Sequence, residues 1–374
     1  MAFNPERTQY LRPDSARTPY FSRTEQAGAI HYESYNNTCY PRSYGRERKA
    51  EFEAILERAV LIDVGCERTT ELRGPDALKF ADYICTRKMQ TIKSNRARHT
   101  VICEPNGVIF CEAIVLKLAE DRIWIGHGPA DFPEWCRAIH HGTNFDVEIE
   151  LTQVYPLAVQ GPRAYEIMQA LVPDAADMKF FQWTRAEVAG VDSIITRSGY
   201  TGAFGFEIYP FDPKQAPKVW DTVVEAGEPH GMMITPMVGP YVERAVTDYR
   251  LGDLLDLNPF EARLERAVNM DKESFVGKDA LQRILDAGVE RQMLGVRFHT
   301  DQPLPVLEEY WPIHPLSPGQ PSPGVVNRAI NSVILSEPIG YAIVSADLSP
   351  GQIITVDHHE GTVEAELVEL PFMD

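Results

Sequence analysis

The run GYTGAFGFEIY (199–209) gathers three glycines and one carboxylate into a single bend and strand. Gly199, Gly202 and Gly205 allow close backbone approach, and Glu207 supplies a planar acceptor. Along FEIY, Phe206 and Ile208 alternate with Glu207 and Tyr209, so a strand here turns the carboxylate and the phenol away from the face that carries the two apolar side chains. A carboxylate placed this way can grip an aminopyrimidine-like pair of N–H groups through two parallel hydrogen bonds. A solvated strand residue satisfies the same pattern. The signatures of the common phosphate-binding, metallopeptidase and serine-hydrolase sites are absent: no Gly-x-Gly-x-x-Gly after a strand, no Gly-x4-Gly-Lys-Ser/Thr, no His-Glu-x-x-His and no Gly-x-Ser-x-Gly. No metal, flavin or nucleotide is therefore expected.

The elements that must position this hairpin can be followed along the chain. RKAEFEAILERA (48–59) has helical spacing, and VLIDVG (60–65) follows as a buried strand. TELRGPDALKFADYI (70–84) and PLAVQGPRAYEIMQALV (156–172) each give a strand, a Gly-Pro turn and a helix; the shared Gly-Pro-x-Ala suggests a duplicated α+β half-domain, with coincidence of two common turns as the alternative. Residues 100–128 form a meander of three strands broken at Pro-Asn-Gly and Glu-Asp-Arg, and 191–211 form a hairpin. Helices are expected in WDTVVEAGEPHGMM and from Pro240 to Arg250. Residues 1–47 show no long periodic face and are expected to run over the surface. Beyond 285–302 the chain is Pro-rich with short apolar runs, the pattern of a small all-β barrel or sandwich. The domains expected are thus 1–285 and 286–374.

Length and charge bound the function. With 374 residues, 44% hydrophobic and 24% charged, the chain is long enough for two or three globular domains. Its 36 basic against 54 acidic residues leave a net charge of −18, which disfavours nucleic acid and anionic membranes as partners. Six cysteines, none in a Cys-x-x-Cys pair, all precede residue 137 and are expected as reduced thiols. The polar N-terminus and the lack of a run of about 20 apolar residues point to a cytoplasmic protein.

Taken together, these motifs resemble the glycine-cleavage T-protein (aminomethyltransferase) superfamily. The hairpin is similar to that family's folate hairpin, and NPFEARLERAVNMDKESFVGKDAL (258–281) to its approach to the C-terminal barrel. ARTPYFSRTEQAGAIHYESYN (16–36), DVGCERTTELRGPDA (63–77), LKLAEDRIWI (116–125), VYPLAVQGPRA (154–164) and PLPVLEEYWPI (303–313) bring it nearest the tetrahydrofolate-dependent dimethylsulfoniopropionate demethylase branch. The resemblance implies an α+β, three-domain folate-binding fold with a C-terminal β-barrel, and tetrahydrofolate as acceptor of a methyl group from a small, cationic donor. It implies Tyr200 near the pterin, Glu207 on its aminopyrimidine edge and Arg244 holding the folate. The branch's acidic pair, Asn-Asp-Pro, falls on Cys111-Glu112-Ala113, which makes Glu112 and Cys111 the candidate catalytic positions, and the expected Glu-Gly-Gly is Val246-Thr247-Asp248.

Methyl displacement needs placement more than acid or base, so an aromatic site that favours a cation is expected, with Tyr32, Tyr35, Trp124 and Trp183 as candidates. Aminomethyl transfer, O-demethylation and non-catalytic folate binding remain alternatives on the same scaffold. An ether or amine leaving group would require a titratable residue beside the methyl site. A homodimer is left open.

Overall fold

The computed structural model describes residues 15–128, 131–237 and 256–372. The chain divides into two compact units, residues 1–102 with 111–241, and residues 103–110 with 242–374.

The first unit is built on two larger sheets. The six-stranded sheet runs in the order Trp183–Val188, Val191–Thr196, Gly205–Pro210, Leu157–Gln160, Val60–Asp63, Met233–Ile234. Its neighbours pair antiparallel except at the last step, where Met233–Ile234 lies parallel to Val60–Asp63. One face is covered by helices Ala164–Leu171, Pro173–Ala176 and Ala216–Gly227: Leu61, Leu157, Val159, Ile195, Phe206 and Ile208 share a buried core with Ile167, Met168, Val219 and Val223. The five-stranded sheet has the order Ala97–Cys103, Ile109–Ala119, Arg122–His127, Arg68–Arg73, Glu148–Leu151. Ala97, Leu116 and Trp124 from it meet Ile194 and Tyr209 from the other face of the six-stranded sheet. Strands buried on both faces explain why the apolar runs here are nearly continuous.

Both Gly-Pro turns take the expected form. Arg68–Arg73 and Leu157–Gln160 each end at a glycine with positive φ, +135° at Gly74 and +119° at Gly161, and each glycine carbonyl accepts at 3.0 Å the N–H of the first residue of the following helix, Ala77 or Ala164. A side chain at either position would strain the turn.

Residues 15–47 depart from the expected surface run. They contain helix Phe21–Gln26 and a three-stranded sheet in the order Ala16–Arg17, Thr38–Ser43, His31–Tyr35. The reason lies in isolated side chains rather than in a periodic face. Tyr20 is fully buried, stacks on Trp220 at 5.7 Å and donates its hydroxyl to the Tyr155 carbonyl at 2.9 Å. Arg23 forms two hydrogen bonds of 2.7 Å to Asp221, and Thr18 Oγ1 donates to the buried Asp63 Oδ2 at 2.5 Å. Burial pushes the Asp63 carboxyl up to about 6, while the hydroxyl of Thr18 and the N–H of Gly65 act the other way.

The second unit contains helix Lys278–Ala287 and a six-stranded sheet in the order Trp311–Pro312, Gly324–Asn331, Pro338–Ser345, Arg291–Phe298, Gly361–Val368, Ile353–His358. Its edges meet through an antiparallel bridge between Ile313 and Val356, so the sheet nearly closes on itself around Val296, Trp311, Val326, Ala342, Val356 and Leu367. This is the expected β-barrel. The prolines fall mainly in the connections, where the missing N–H costs no ladder bond.

The six cysteines are all free and buried. No helix among the described residues is long and apolar enough to cross a membrane.

Thr18→Val removes one of the two donors to a buried carboxylate. It should lower stability to urea by about 1–3 kcal/mol and expose the 16–43 segment to limited proteolysis; an unchanged urea midpoint would show that the Thr18–Asp63 contact does not hold this segment.

Candidate functional site

The hairpin is fixed from below by Gln160, the last residue of the Leu157–Gln160 strand and fully buried. Its amide nitrogen donates to the carbonyls of Ser198 (3.1 Å) and Phe206 (3.2 Å), and its Oε1 accepts from Thr201 Oγ1 at 2.9 Å. A Cβ at Gly199 would lie 1.9 Å from Gln160 Oε1, and one at Gly205 would lie 2.4 Å from Gln160 Nε2. Two of the three hairpin glycines are thus required by the approach of a glutamine side chain from within the protein. Arg197 closes the hairpin from the other side, with its guanidinium 3.7 Å from the centre of the Phe204 ring and Nη1 donating to the Gly205 carbonyl at 3.1 Å.

On the strand above, the alternation is as expected: Phe206 and Ile208 enter the helix-covered core, and Glu207 and Tyr209 face the other way. Glu207 Oε2 accepts from Ser198 Oγ (2.6 Å), Tyr209 Oη (3.0 Å) and Thr196 Oγ1 (3.4 Å), and the Thr196 and Ser198 hydroxyls lie 2.6 Å apart. Its other oxygen, Oε1, has no hydrogen-bond donor among the described residues. Burial raises the Glu207 carboxyl, opposed by the three hydroxyls. Glu67 stands near it, pushed up to about 8 by burial and then by the charge of Glu207. Tyr209 is raised well above its ordinary value by burial and by Glu207.

Tyr200 is half-buried and donates to the Met237 carbonyl at 3.3 Å. Trp183, Thr196 and Glu207 are cross-strand partners in one row and so lie on one face. The Trp183 indole nitrogen is buried without a hydrogen-bond partner among the described residues. Trp124 is buried in the same apolar cluster, its ring 6.3 Å from that of Tyr209, and its indole N–H donates at 2.7 Å to Glu71. Burial alone would raise the Glu71 carboxyl, but Arg122, Trp124 and Arg73 together hold it below its ordinary value. The structure therefore gathers Trp124 and Trp183 beside the Glu207 face, while the two arm tyrosines have other surroundings. Tyr32 is buried, 2.9 Å from Thr24 Oγ1 and packed on Phe21 with ring centres 4.7 Å apart. Tyr35 is 39% exposed, and its hydroxyl lies against Gly128, where a Cβ would come within 2.2 Å of it.

Cys111 and Glu112 are consecutive on the Ile109–Ala119 strand and point to opposite faces. Cys111 is buried on the side of Ala113 and Val115. Glu112 shares a face with Ile114 and Leu116, which belong to the cluster containing Trp124 and Tyr209. Its Oε1 lies 2.7 Å from Nε2 of His99, and both side chains are about 30% exposed. Only Glu112 of the pair therefore lies on the face turned toward Tyr209. Arg244 and the 246–248 segment lie outside the described residues. Ser198, Thr196, Gln160, Glu67 and His99 escaped sequence reasoning because their relation to Glu207 or Glu112 depends on strand register and on contacts across the sheets.

Comparison with known proteins places this geometry. Residues 20–272 match the GCVT N-terminal domain, and residues 291–374 match the glycine cleavage T-protein C-terminal barrel domain. The chain belongs to the glycine cleavage T-protein family, whose members are tetrahydrofolate-dependent one-carbon transferases. It is similar to an aminomethyltransferase of Alkaliphilus oremlandii, 30% identical over 86% of this chain and 88% of that one. It is also similar to the dimethylsulfoniopropionate demethylase DmdA of Ruegeria pomeroyi, 28% identical over 92% of this chain and 94% of that one. In three dimensions it resembles the glycine cleavage system aminomethyltransferase T of Bartonella henselae, with a TM-score of 0.83, 21% identity and coverage of 96% and 98% of the two chains. That likeness bears out the α+β fold with its terminal barrel.

Two measurements follow from the local geometry. Gly205→Ala, which drives a Cβ into Gln160 and the Val159 carbonyl, should destabilise the protein by about 1–3 kcal/mol in urea; a variant as stable as wild type would contradict the close approach. For Glu67, the folded chain binds the proton more tightly than the unfolded chain, whose carboxyl titrates near 4.5. The destabilisation from ionising it therefore grows as pH rises from about 4.5 to about 8 and is constant outside that window. Glu67→Gln should gain stability relative to wild type across that interval, by on the order of 1 kcal/mol or more between urea titrations at its two ends. A stability difference that stays flat with pH would contradict the burial of Glu67 beside Glu207.

Proposed function

We propose that the protein transfers a methyl group from a small donor to tetrahydrofolate, with Glu207 as the group that recognises the folate's aminopyrimidine edge. The observation that carries this reading is the asymmetry of that carboxylate: Oε2 is held by three hydroxyls, and Oε1 is left to accept from a ligand. Such a group is fixed in orientation before the ligand arrives, so little ordering entropy is lost on binding. Tyr200 in the hairpin and Arg244 are proposed to hold the folate with it. Trp183 and Trp124, with Tyr32 and Tyr35 from the arm, are proposed to shape the donor's side.

The methyl donor belongs to one of two chemistries. A sulfonium such as dimethylsulfoniopropionate, the substrate named for the Ruegeria relative, leaves as a neutral sulfide and needs no proton. An ether donor must be protonated as it leaves, and this second reading is favoured by the imidazole paired with Glu112. The free, buried cysteines and the acidic composition support a cytoplasmic protein whose ligands are a small molecule and folate. A homodimer is compatible with this reading.

Incubation with tetrahydrofolate and a panel of sulfonium, ether and amine donors, followed by mass spectrometry of the folate, should yield methyl-folate with at least one donor. Glu207→Ala should weaken tetrahydrofolate binding by roughly 1.5–3 kcal/mol in calorimetry, the loss expected for a charge-assisted hydrogen bond. Undiminished affinity in that variant would remove Glu207 from folate recognition.

A further inference from the structure

We infer that His99 and Glu112 act as one proton-holding pair, and that the donor of this protein is an ether, whose leaving atom is oxygen. The inference rests on the tetrahydrofolate reading above and deepens it by naming the donor class.

Geometry carries the first half. His99 Nε2 and Glu112 Oε1 are 2.7 Å apart on the strands Ala97–Cys103 and Ile109–Ala119. His99 is two residues from Ala97, and Glu112 is two from Ile114. Ala97 and Ile114 belong to the cluster that joins this sheet to Ile194 and Tyr209, so the pair lies on the sheet face that also meets Tyr209, the neighbour of Glu207. The Arg87 guanidinium donates to the His99 backbone carbonyl at 3.1 Å, which fixes the strand and leaves the imidazole to Glu112. Both side chains are about 30% exposed, open enough to meet a small molecule.

Chemistry carries the second half. When the N5 lone pair of tetrahydrofolate takes a methyl group from R–X–CH3, the carbon–X bond breaks and its electrons go to X. If X is an ether oxygen, those electrons need a proton, giving R–XH, and the N5 proton must leave as the new carbon–nitrogen bond forms. One proton thus leaves N5 and one arrives at X, with no other reactant consumed. An imidazole hydrogen-bonded to a carboxylate can give up one proton and accept another without net change. A sulfonium, or an amine that enters as its ammonium, has no use for the donating half of this cycle, because the sulfide or amine leaves neutral and the N5 proton passes to solvent. A carboxylate alone would suffice to attract a cationic donor; an imidazole bonded to it would weaken that attraction.

The test uses the full-length protein with tetrahydrofolate and three donors: methoxyacetate, N,N-dimethylglycine and dimethylsulfoniopropionate. Wild type should turn over the ether in preference to the amine and the sulfonium. His99→Gln, which keeps a hydrogen bond to Glu112 but carries no transferable proton, should lose about 100-fold or more in kcat with the ether while its tetrahydrofolate Kd stays within twofold of wild type. A loss shared equally by all three donors would reduce His99 to a structural part and overturn the proposal, as would a preference for dimethylsulfoniopropionate or full activity in His99→Gln. Independently of turnover, Glu112→Gln should move the 15N resonances of the His99 ring, and unmoved resonances would show that the pair does not form. Protein that binds tetrahydrofolate yet does not methylate it from the ether overturns the donor class alone. Protein that fails to bind tetrahydrofolate overturns the reading beneath it as well.

Discussion

A half-buried carboxylate must be compensated, and at Glu207 the compensation comes from hydroxyls, since no basic side chain among the described residues contributes to it. That requirement fixes much of the first unit. Thr196, Ser198 and Tyr209 must all present oxygens to one point, which demands that the Val191–Thr196 and Gly205–Pro210 strands pair in one register and that the bend between them be rigid. A slip of one residue would turn Glu207 into the helix-covered core and Phe206 into the site. Gln160 prevents such movement by tying the two arms of the bend together, and Gly199 and Gly205 are the residues that let its side chain in. The shape of this hairpin is therefore fixed from inside the protein.

The same alternation governs the facing sheet, with an opposite consequence. On the Ile109–Ala119 strand it separates Cys111 from Glu112, so that two adjacent residues of the kind that carry chemistry cannot serve one site. The apolar residues between the sheets, Leu116, Trp124, Ile194 and Tyr209, set the distance at which the two faces confront each other. Trp124 is itself fixed by its hydrogen bond to Glu71, a carboxylate satisfied by two arginines and the indole. Three carboxylates thus have three different partners: hydroxyls at Glu207, an imidazole at Glu112 and guanidinium groups at Glu71.

Periodicity made much of this legible in advance. The FEIY alternation placed Glu207 correctly, the Gly-Pro turns marked two equivalent strand-to-helix junctions, and the Pro-rich tail with short apolar runs announced the barrel. Local pattern was silent where contacts join distant segments. The arm at 15–47 looked irregular because Tyr20, Thr18 and Arg23 anchor it singly, to Trp220, Asp63 and Asp221, with no repeating face. The hairpin glycines showed only that something approaches the backbone closely, because a sequence cannot show that a glutamine 39 residues before Gly199 will occupy the space beside Gly199 and Gly205. His99 gave no signal at all, as a single histidine among β-forming residues resembles any strand position until its cross-strand neighbour is known.

The contrast between Glu207 and Glu112 bears on how a folate-dependent transferase can divide its work. A carboxylate held on one oxygen by three neutral hydroxyls has a fixed direction and no hydrogen-bonded partner with which to exchange a proton near neutrality, since serine and threonine hydroxyls do not titrate there and Tyr209 is pushed further from that range by the same burial. It is suited to hold a ligand and unsuited to move protons. A carboxylate bonded to an imidazole at a partly open position has the reverse properties: its partner has ring nitrogens that can carry or release a proton, and its surroundings let a small molecule approach. Two acids on facing sheets, differing only in what they are bonded to, are thereby given different chemistry by strand register alone. On the proposed reading, changing the one-carbon donor need not alter the hairpin that carries Glu207, because Glu112 and His99 stand on the other sheet.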